Sequence, residues 1–165
     1  MRLLLIGGGR RGLALTRLLA AEGHAVRVVT RDPERHAAIA EAGGEPYDGD
    51  PDRIGTLRYA LDNVTVLVWA LGTAEGDPLR VHALHGTRLE MLLERTIDTT
   101  VRGVLYECGG TLPVELLSQG ARTVERMCRH NEIPWGLLHH ETTDVDGWAA
   151  SAADAVERIL ARDRG

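Results

Sequence analysis

Three glycines near the start of the chain, Gly7-x-Gly9-x-x-Gly12, stand where an apolar run, Leu3-Leu4-Leu5-Ile6, gives way to leucines at helical spacing, Leu15, Leu18 and Leu19. That order reads as strand, glycine turn, helix. Such a turn does the chemistry of holding phosphate. Gly7 allows the tight bend, Gly9 with Gly8 beside it lets backbone N–H groups come close to a pyrophosphate, and Gly12 lets the helix lie against the strand. The helix N-terminus adds oriented N–H groups and a partial positive charge. A second β-like run, Val26 to Thr30, follows after a helix of ordinary length, so the turn is expected to bind a dinucleotide.

The end of the second strand selects which dinucleotide. In this arrangement it lies beside the adenosine ribose, where an acid meets the 2′-hydroxyl of NAD and an arginine meets the 2′-phosphate of NADP. The place is held by Thr30-Arg31, and Asp32 is one step later, committed to capping the next helix. Arg10 and Arg11 add positive charge inside the turn, and a guanidinium can grip phosphate through two parallel hydrogen bonds. NADP(H) is therefore expected in preference to NAD(H).

Fewer residues offer acid–base or nucleophilic chemistry. Cys108 falls at the carboxyl end of a strand, where ligands of open α/β sheets bind. No histidine adjoins it in sequence, and buried cysteine commonly serves as a small hydrophobe. His139-His140-Glu141 follows the sixth strand on the nicotinamide side and offers the best candidates for proton donation or substrate contact. His82 and His85 have a spacing that can bind metal, but the motif holds no third ligand, and no metal is expected. All nineteen basic residues are arginine. Without lysine this chain has no Schiff-base chemistry, no P-loop lysine and no Tyr-x-x-x-Lys pair.

The elements that must position these groups alternate. After the first strand and helix and the Val26 to Thr30 strand, Asp32-Pro33-Glu34 opens a helix that ends at Gly43-Gly44. A short strand covers Glu45 to Tyr47, and Asp50-Pro51-Asp52 is expected to start a third helix. Val64 to Ala70 is a near-continuous apolar run suited to a strand buried on both faces. A long helix is expected from about Leu79 to Thr96, with Leu89, Leu92, Leu93 and Ile97 as its stripe. Gly103 to Tyr106 reads as the fifth strand, Leu112 to His130 as a helix, Ile133 to Leu138 as the sixth strand and Trp148 to Arg162 as the last helix. Alternation with short connections implies an α/β, doubly wound (Rossmann) parallel sheet of about six strands with helices on both faces. The expected strand order is 3-2-1-4-5-6, in a single domain over residues 1–165.

Composition bounds the partners. The net charge of -5 leaves no basic surplus to drive nucleic-acid binding through phosphates. No run of eighteen apolar residues occurs, and Met1-Arg2 leads straight into a strand without a signal-peptide core, so no membrane partner and a cytoplasmic location are expected. Cys108 and Cys128 are the only cysteines and suggest no disulfide framework.

Taken in order, several phrases resemble the NmrA-like, atypical branch of the extended short-chain dehydrogenase superfamily. They are Gly23-His24-x-Val26-Arg27-x-x-Thr30-Arg31-Asp32-Pro33, Gly49-Asp50-Pro51, Val101-Arg102-x-Val104-Leu105-Tyr106, and Val124-Glu125 running to Asn131-Glu132-Ile133-Pro134-Trp135. The resemblance implies that Asp50 lies near the adenine, that Ala70-Leu71-Gly72 passes the adenosine side of the cofactor, and that Cys108-Gly109 borders the nicotinamide. The chain departs from that branch in three ways. Its glycine spacing is GxGxxG rather than GxxGxxG. Cys108 stands where the superfamily places a serine, and the best match to Tyr-x-x-x-Lys is Ser118-x-x-x-Arg122, which cannot supply the same proton. About 25 residues follow the sixth strand, short of the family's substrate-binding segment.

The functional expectation is an NADP(H)-binding module with a sensing or regulatory role, lacking the Tyr/Lys pair and assigned no catalytic residue. The alternative is a small NAD(P)H-dependent reductase of the flavin or biliverdin reductase type, with a small-molecule acceptor and Cys108, His139 and His140 as the groups to test. The long helices offer a surface for a homodimer.

Overall fold

Leu3 to Ile6 are all buried, and their alternation sends Leu3 and Leu5 to one face of a sheet and Leu4 and Ile6 to the other. A strand apolar on both faces needs helices on both. The computed structural model describes residues 1–140 and 144–163, and in it six strands run parallel: β1 (Arg2–Gly7), β2 (Ala25–Thr30), β3 (Glu45–Asp48), β4 (Val66–Ala70), β5 (Gly103–Glu107) and β6 (Trp135–Leu138). Their order is β3-β2-β1-β4-β5-β6, the expected one, and the fold is Rossmann-like.

Helices α1 (Gly9–Ala21), α2 (His36–Glu41) and α6 (Val145–Asp163) cover one face, where Leu15, Leu19, Ile39, Trp148, Val156 and Ile159 pack on Leu3, Leu5, Val28 and Val68. Helices α3 (Pro78–Leu84), α4 (Thr87–Thr96) and α5 (Val114–His130) cover the other, placing Leu84, Leu89, Leu92, Leu93 and Val124 on Leu4, Ile6, Leu67 and Trp69. Asp32 caps as expected, accepting from the Glu34 N–H at 2.9 Å with Pro33 in the first turn. Among the described residues, no helix is long and apolar enough to cross a membrane.

Two expected helices are corrected. The stretch Leu79 to Thr96 is not one helix: it breaks at His85-Gly86, where Gly86 has φ −125° and ψ −105°. His85 is drawn into the core to bond Tyr106 and the Leu71 carbonyl, and the chain bends to let it. Ile97, assigned to the stripe, is exposed, and Thr96 is buried instead. Asp50-Pro51-Asp52 does not start an α-helix. The Asp50 carboxylate accepts the Asp52 N–H at 2.9 Å, a local turn that competes with helix, and only a 3-10 turn, Ile54–Leu57, follows.

Candidate functional site

A cleft of about 760 Å³ opens at the carboxyl ends of β1, β2 and β4, where the strand order reverses and open α/β sheets place their ligands. Its floor is the glycine turn. Gly7 has φ +87°, and a Cβ there would fall on the Ala70 carbonyl of the neighbouring strand. A Cβ on Gly12 would come within 2.8 Å of the Gly7 oxygen, so α1 lies this close to β1 only because Gly12 is bare. No side chain caps α1, which leaves first-turn N–H groups for a ligand. Gly7 to Arg11, Thr30 to Asp32, Arg35, Ala70, Leu71 and Thr73 line the cleft. A bare turn, free helix N–H groups and a surplus of arginine suit a phosphate-bearing dinucleotide.

Not every expected residue faces that space. Gly12 lies behind the turn, with its N–H on the Gly8 oxygen at 3.1 Å. Asp50 is not part of the lining; its carboxylate sits 3.5 Å from Arg80, which is. Gly72 is buried, and its N–H donates to Glu107 at 2.6 Å. Arg10, Arg31 and Arg35 stand around the mouth without a carboxylate partner among the described residues.

Arg11 is the main surprise. Its guanidinium, expected as free charge for phosphate, turns inward and is buried against Glu107, with Nη1 on Oε2 at 2.8 Å and Nη2 on Oε1 at 3.3 Å. Nη2 also donates to the Thr73 hydroxyl at 2.9 Å, and the group lies 4.6 Å over the Trp148 ring. Glu107 is 1% exposed and also accepts from the Trp148 indole at 2.7 Å. One carboxylate thus joins the start of α1, the loop after β4 and the start of α6, and it fixes two walls of the cleft. Sequence reasoning passed over Glu107. Its only signal was a charge continuing the run Val104-Leu105-Tyr106 at the end of a central strand.

The candidate chemical groups gather at the same edge of the sheet. Cys108 Sγ lies 3.1 Å from His139 Nδ1, a pair brought together across 31 residues by the pairing of β5 with β6. Burial pushes the Cys108 thiol up to about 11, so at neutral pH it is a thiol rather than a nucleophilic thiolate. His140 Nδ1 is 3.2 Å from the Ser151 hydroxyl. Glu141, grouped with these histidines in the sequence, lies outside the described residues.

His82 and His85 do not form a metal pair, because His82 is exposed while His85 is buried. The Leu71 carbonyl can only accept, so His85 Nε2 donates to it at 2.8 Å, and Nδ1 accepts from the Tyr106 hydroxyl at 2.6 Å. Burial lowers the His85 pKa, outweighing the upward pull of the Leu71 carbonyl, and nearby His82 lowers it further. The folded chain therefore refuses a proton that the unfolded chain accepts below about pH 6.5. This contribution to stability is present above that pH and is lost as pH falls through it, at up to about 1.4 kcal/mol per pH unit. Urea unfolding from pH 7.5 to 5.5 should show that slope reduced in His85→Asn; identical slopes would contradict a neutral buried His85.

A model of the NAD(P)H-binding family matches residues 7–104. No curated protein matches in sequence. Among solved structures, the triphenylmethane reductase of Citrobacter sp. complexed with NADP(H) is 20% identical, covering 85% of this chain and 49% of its own at a TM-score of 0.61. A short-chain dehydrogenase/reductase superfamily protein from Agrobacterium tumefaciens with bound NAD is also 20% identical, with coverage of 84% and 48% and a TM-score of 0.68. The UDP-glucuronic acid 4-epimerase of Bacillus cereus in complex with NAD is 15% identical, with coverage of 86% and 56% and a TM-score of 0.68. At these identities the likeness is one of fold, and the chain spans about half the length of these structures.

Proposed function

Since the chain belongs to the NAD(P)H-binding family, we propose that it holds NADP(H) in the cleft over Gly7 to Gly12, in preference to NAD(H). The observation that carries the preference is the set of arginines at the mouth. Arg31 and Arg35 follow β2 with no carboxylate partner among the described residues, while Asp32, the one acid at that strand end, is bonded to the Glu34 N–H. A 2′-phosphate would meet cations there, and a bare 2′-hydroxyl would meet a carboxylate already accepting from its own turn. Gly7, Gly8 and Gly9 would hold the pyrophosphate, with Arg10 beside it. Arg11 and Gly12 support the turn from behind, Ala70 and Leu71 form the far wall, and Gly72 and Asp50 hold neighbouring groups in place.

The role that fits this chain's own residues is a dinucleotide-binding module that responds to NADP(H), since it has no lysine to depress the pKa of a tyrosine acid. A second reading, a small NAD(P)H-dependent reductase, is favoured by a further cleft that shares Ala74 and Glu75 with the first. A bound nicotinamide would supply hydride chemistry, and the protein would supply orientation and exclusion of water. Cys108, His139 and His140 would then be the groups to test, none of which lines either cleft, and a homodimer through α4 and α5 is compatible with either reading.

Thermal-shift titration with NADPH, NADP, NADH and NAD tests the reading. A ligand at a hundred times its Kd stabilises the fold by about 2.7 kcal/mol. NADPH is expected to bind at least about tenfold more tightly than NADH, and Arg31→Ala with Arg35→Ala should remove most of that margin, about 1.4 kcal/mol. Equal shifts with NADPH and NADH would overturn the preference.

A further inference from the structure

We propose that the second cleft binds a small cationic molecule with an apolar, aromatic body. The cleft, about 670 Å³, opens between the loop that leads into α3 and the first turns of α5. Its walls are apolar: Ala74, Pro78 and Val81 on one side, Leu112, Pro113 and Leu116 on the other. The fully charged side chains in the lining are Glu75 and Glu115, and neither has a salt-bridge partner among the described residues. No arginine is part of its lining, although Arg80 stands beside Gly76, with Nη1 3.8 Å from where a Cβ there would sit, and several arginines line the adjoining cleft. His82 and Gln119 complete the polar lining.

That combination selects a kind of ligand. Two unpartnered carboxylates repel anions and attract a positive charge. Apolar walls gain nothing from a compact, strongly hydrated cation, which would lose its water for little return. They gain from a cation whose charge is spread over rings that themselves leave water. The two clefts therefore have opposite electrostatic character, one rich in arginine and suited to phosphates, the other acidic and apolar. They meet at Ala74 and Glu75. The inference deepens the reductase reading, and rests on it in making the ligand the acceptor. The binding itself needs no dinucleotide.

The test is equilibrium binding of crystal violet, a cation delocalised over three aryl rings, followed by its absorbance change. Its neutral leuco form, with the same aryl body, competes for the site. The cation is expected to bind about tenfold more tightly than the leuco form, the sum of two surface-type ion pairs. Glu75→Gln with Glu115→Gln should bring the two forms to equal affinity. Glu94→Gln with Asp98→Asn makes the same charge change away from the cleft and should leave the preference intact. Equal binding of cation and leuco form by the unaltered protein overturns the proposal, as does an equal loss in both double variants, which would show attraction to net charge alone. NADPH titration of the same samples by thermal shift separates the readings. Dye preference without dinucleotide binding sinks the cofactor reading alone, and dinucleotide binding without dye preference sinks this one.

Discussion

Replacing Glu107 by alanine is expected to lower the unfolding free energy by about 3–5 kcal/mol, the range for removing one partner of a buried ion pair. The carboxylate is 1% exposed and accepts from the Arg11 guanidinium, the Gly72 N–H and the Trp148 indole. Alanine leaves a buried cation with only the Thr73 hydroxyl, and two neutral donors without acceptors, and each orphaned donor costs about 1–3 kcal/mol. A water drawn into the space would return part of this, which keeps the loss near that of the pair alone. Denaturant unfolding measures the loss. A change below about 1 kcal/mol, the size typical of an exposed pair, would show that Glu107 is not the joint described.

The double variant Arg11→Leu with Glu107→Leu separates the ion pair from the two further donors on Glu107. For a simple buried pair, apolar replacement of both partners often restores stability. Here the recovery should be incomplete, because the Gly72 and Trp148 N–H groups still lack an acceptor. Glu107 also joins the loop after β4 to the start of α1, which are opposite walls of the cleft. The same variants should therefore weaken dinucleotide binding even at temperatures where they remain folded.

The strands and the glycine turn could be read from the chain because each depends on neighbours in sequence, and the strand order then follows from right-handed crossovers in a doubly wound sheet. Leu3 to Ile6 and Val64 to Ala70 carry apolar residues in both phases, which only a strand covered on both faces accommodates. Asp32-Pro33-Glu34 is equally local, and its cap appears as expected. What escaped depends on partners far away. The leucine spacing runs on through Leu84, Leu89 and Leu92, and Gly86 within it is the one local sign of a break. The break follows from His85 bonding Tyr106, 21 residues on, and Leu71, 14 back. Glu107 drew no reading because its ion-pair partner is 96 residues away. The pairing of Arg11 is hidden for the same reason: a guanidinium in a phosphate turn looks free until the residue opposite it is known. Cys108 and His139, too, become neighbours only once β5 and β6 pair.

Gly7 and Gly9 are two residues apart in one turn, yet their substitutions are expected to fail in opposite ways. Gly7→Ala forces an L side chain to φ +87° and drives its Cβ onto the Ala70 carbonyl and the Leu71 side chain. The left-handed conformation costs about 1–2 kcal/mol, and overlap with a packed strand adds about 1–3 kcal/mol. The fold should lose stability whether or not a ligand is present. Gly9 has φ +53°, and an added Cβ there would meet no protein atom within 4 Å. Packing gives no reason for glycine at this position. Asparagine tolerates that φ, so Gly9→Asn should keep stability within about 1 kcal/mol. Its side chain would instead occupy the surface on which a pyrophosphate must rest. At a hundred times the wild-type Kd, the roughly 2.7 kcal/mol of stabilisation by NADPH should fall by at least about 1.4 kcal/mol, a tenfold weakening. Thermal melts of both variants with and without NADPH separate the outcomes: undiminished stabilisation of Gly9→Asn would mean that the turn is shaped by packing alone and does not carry the phosphates.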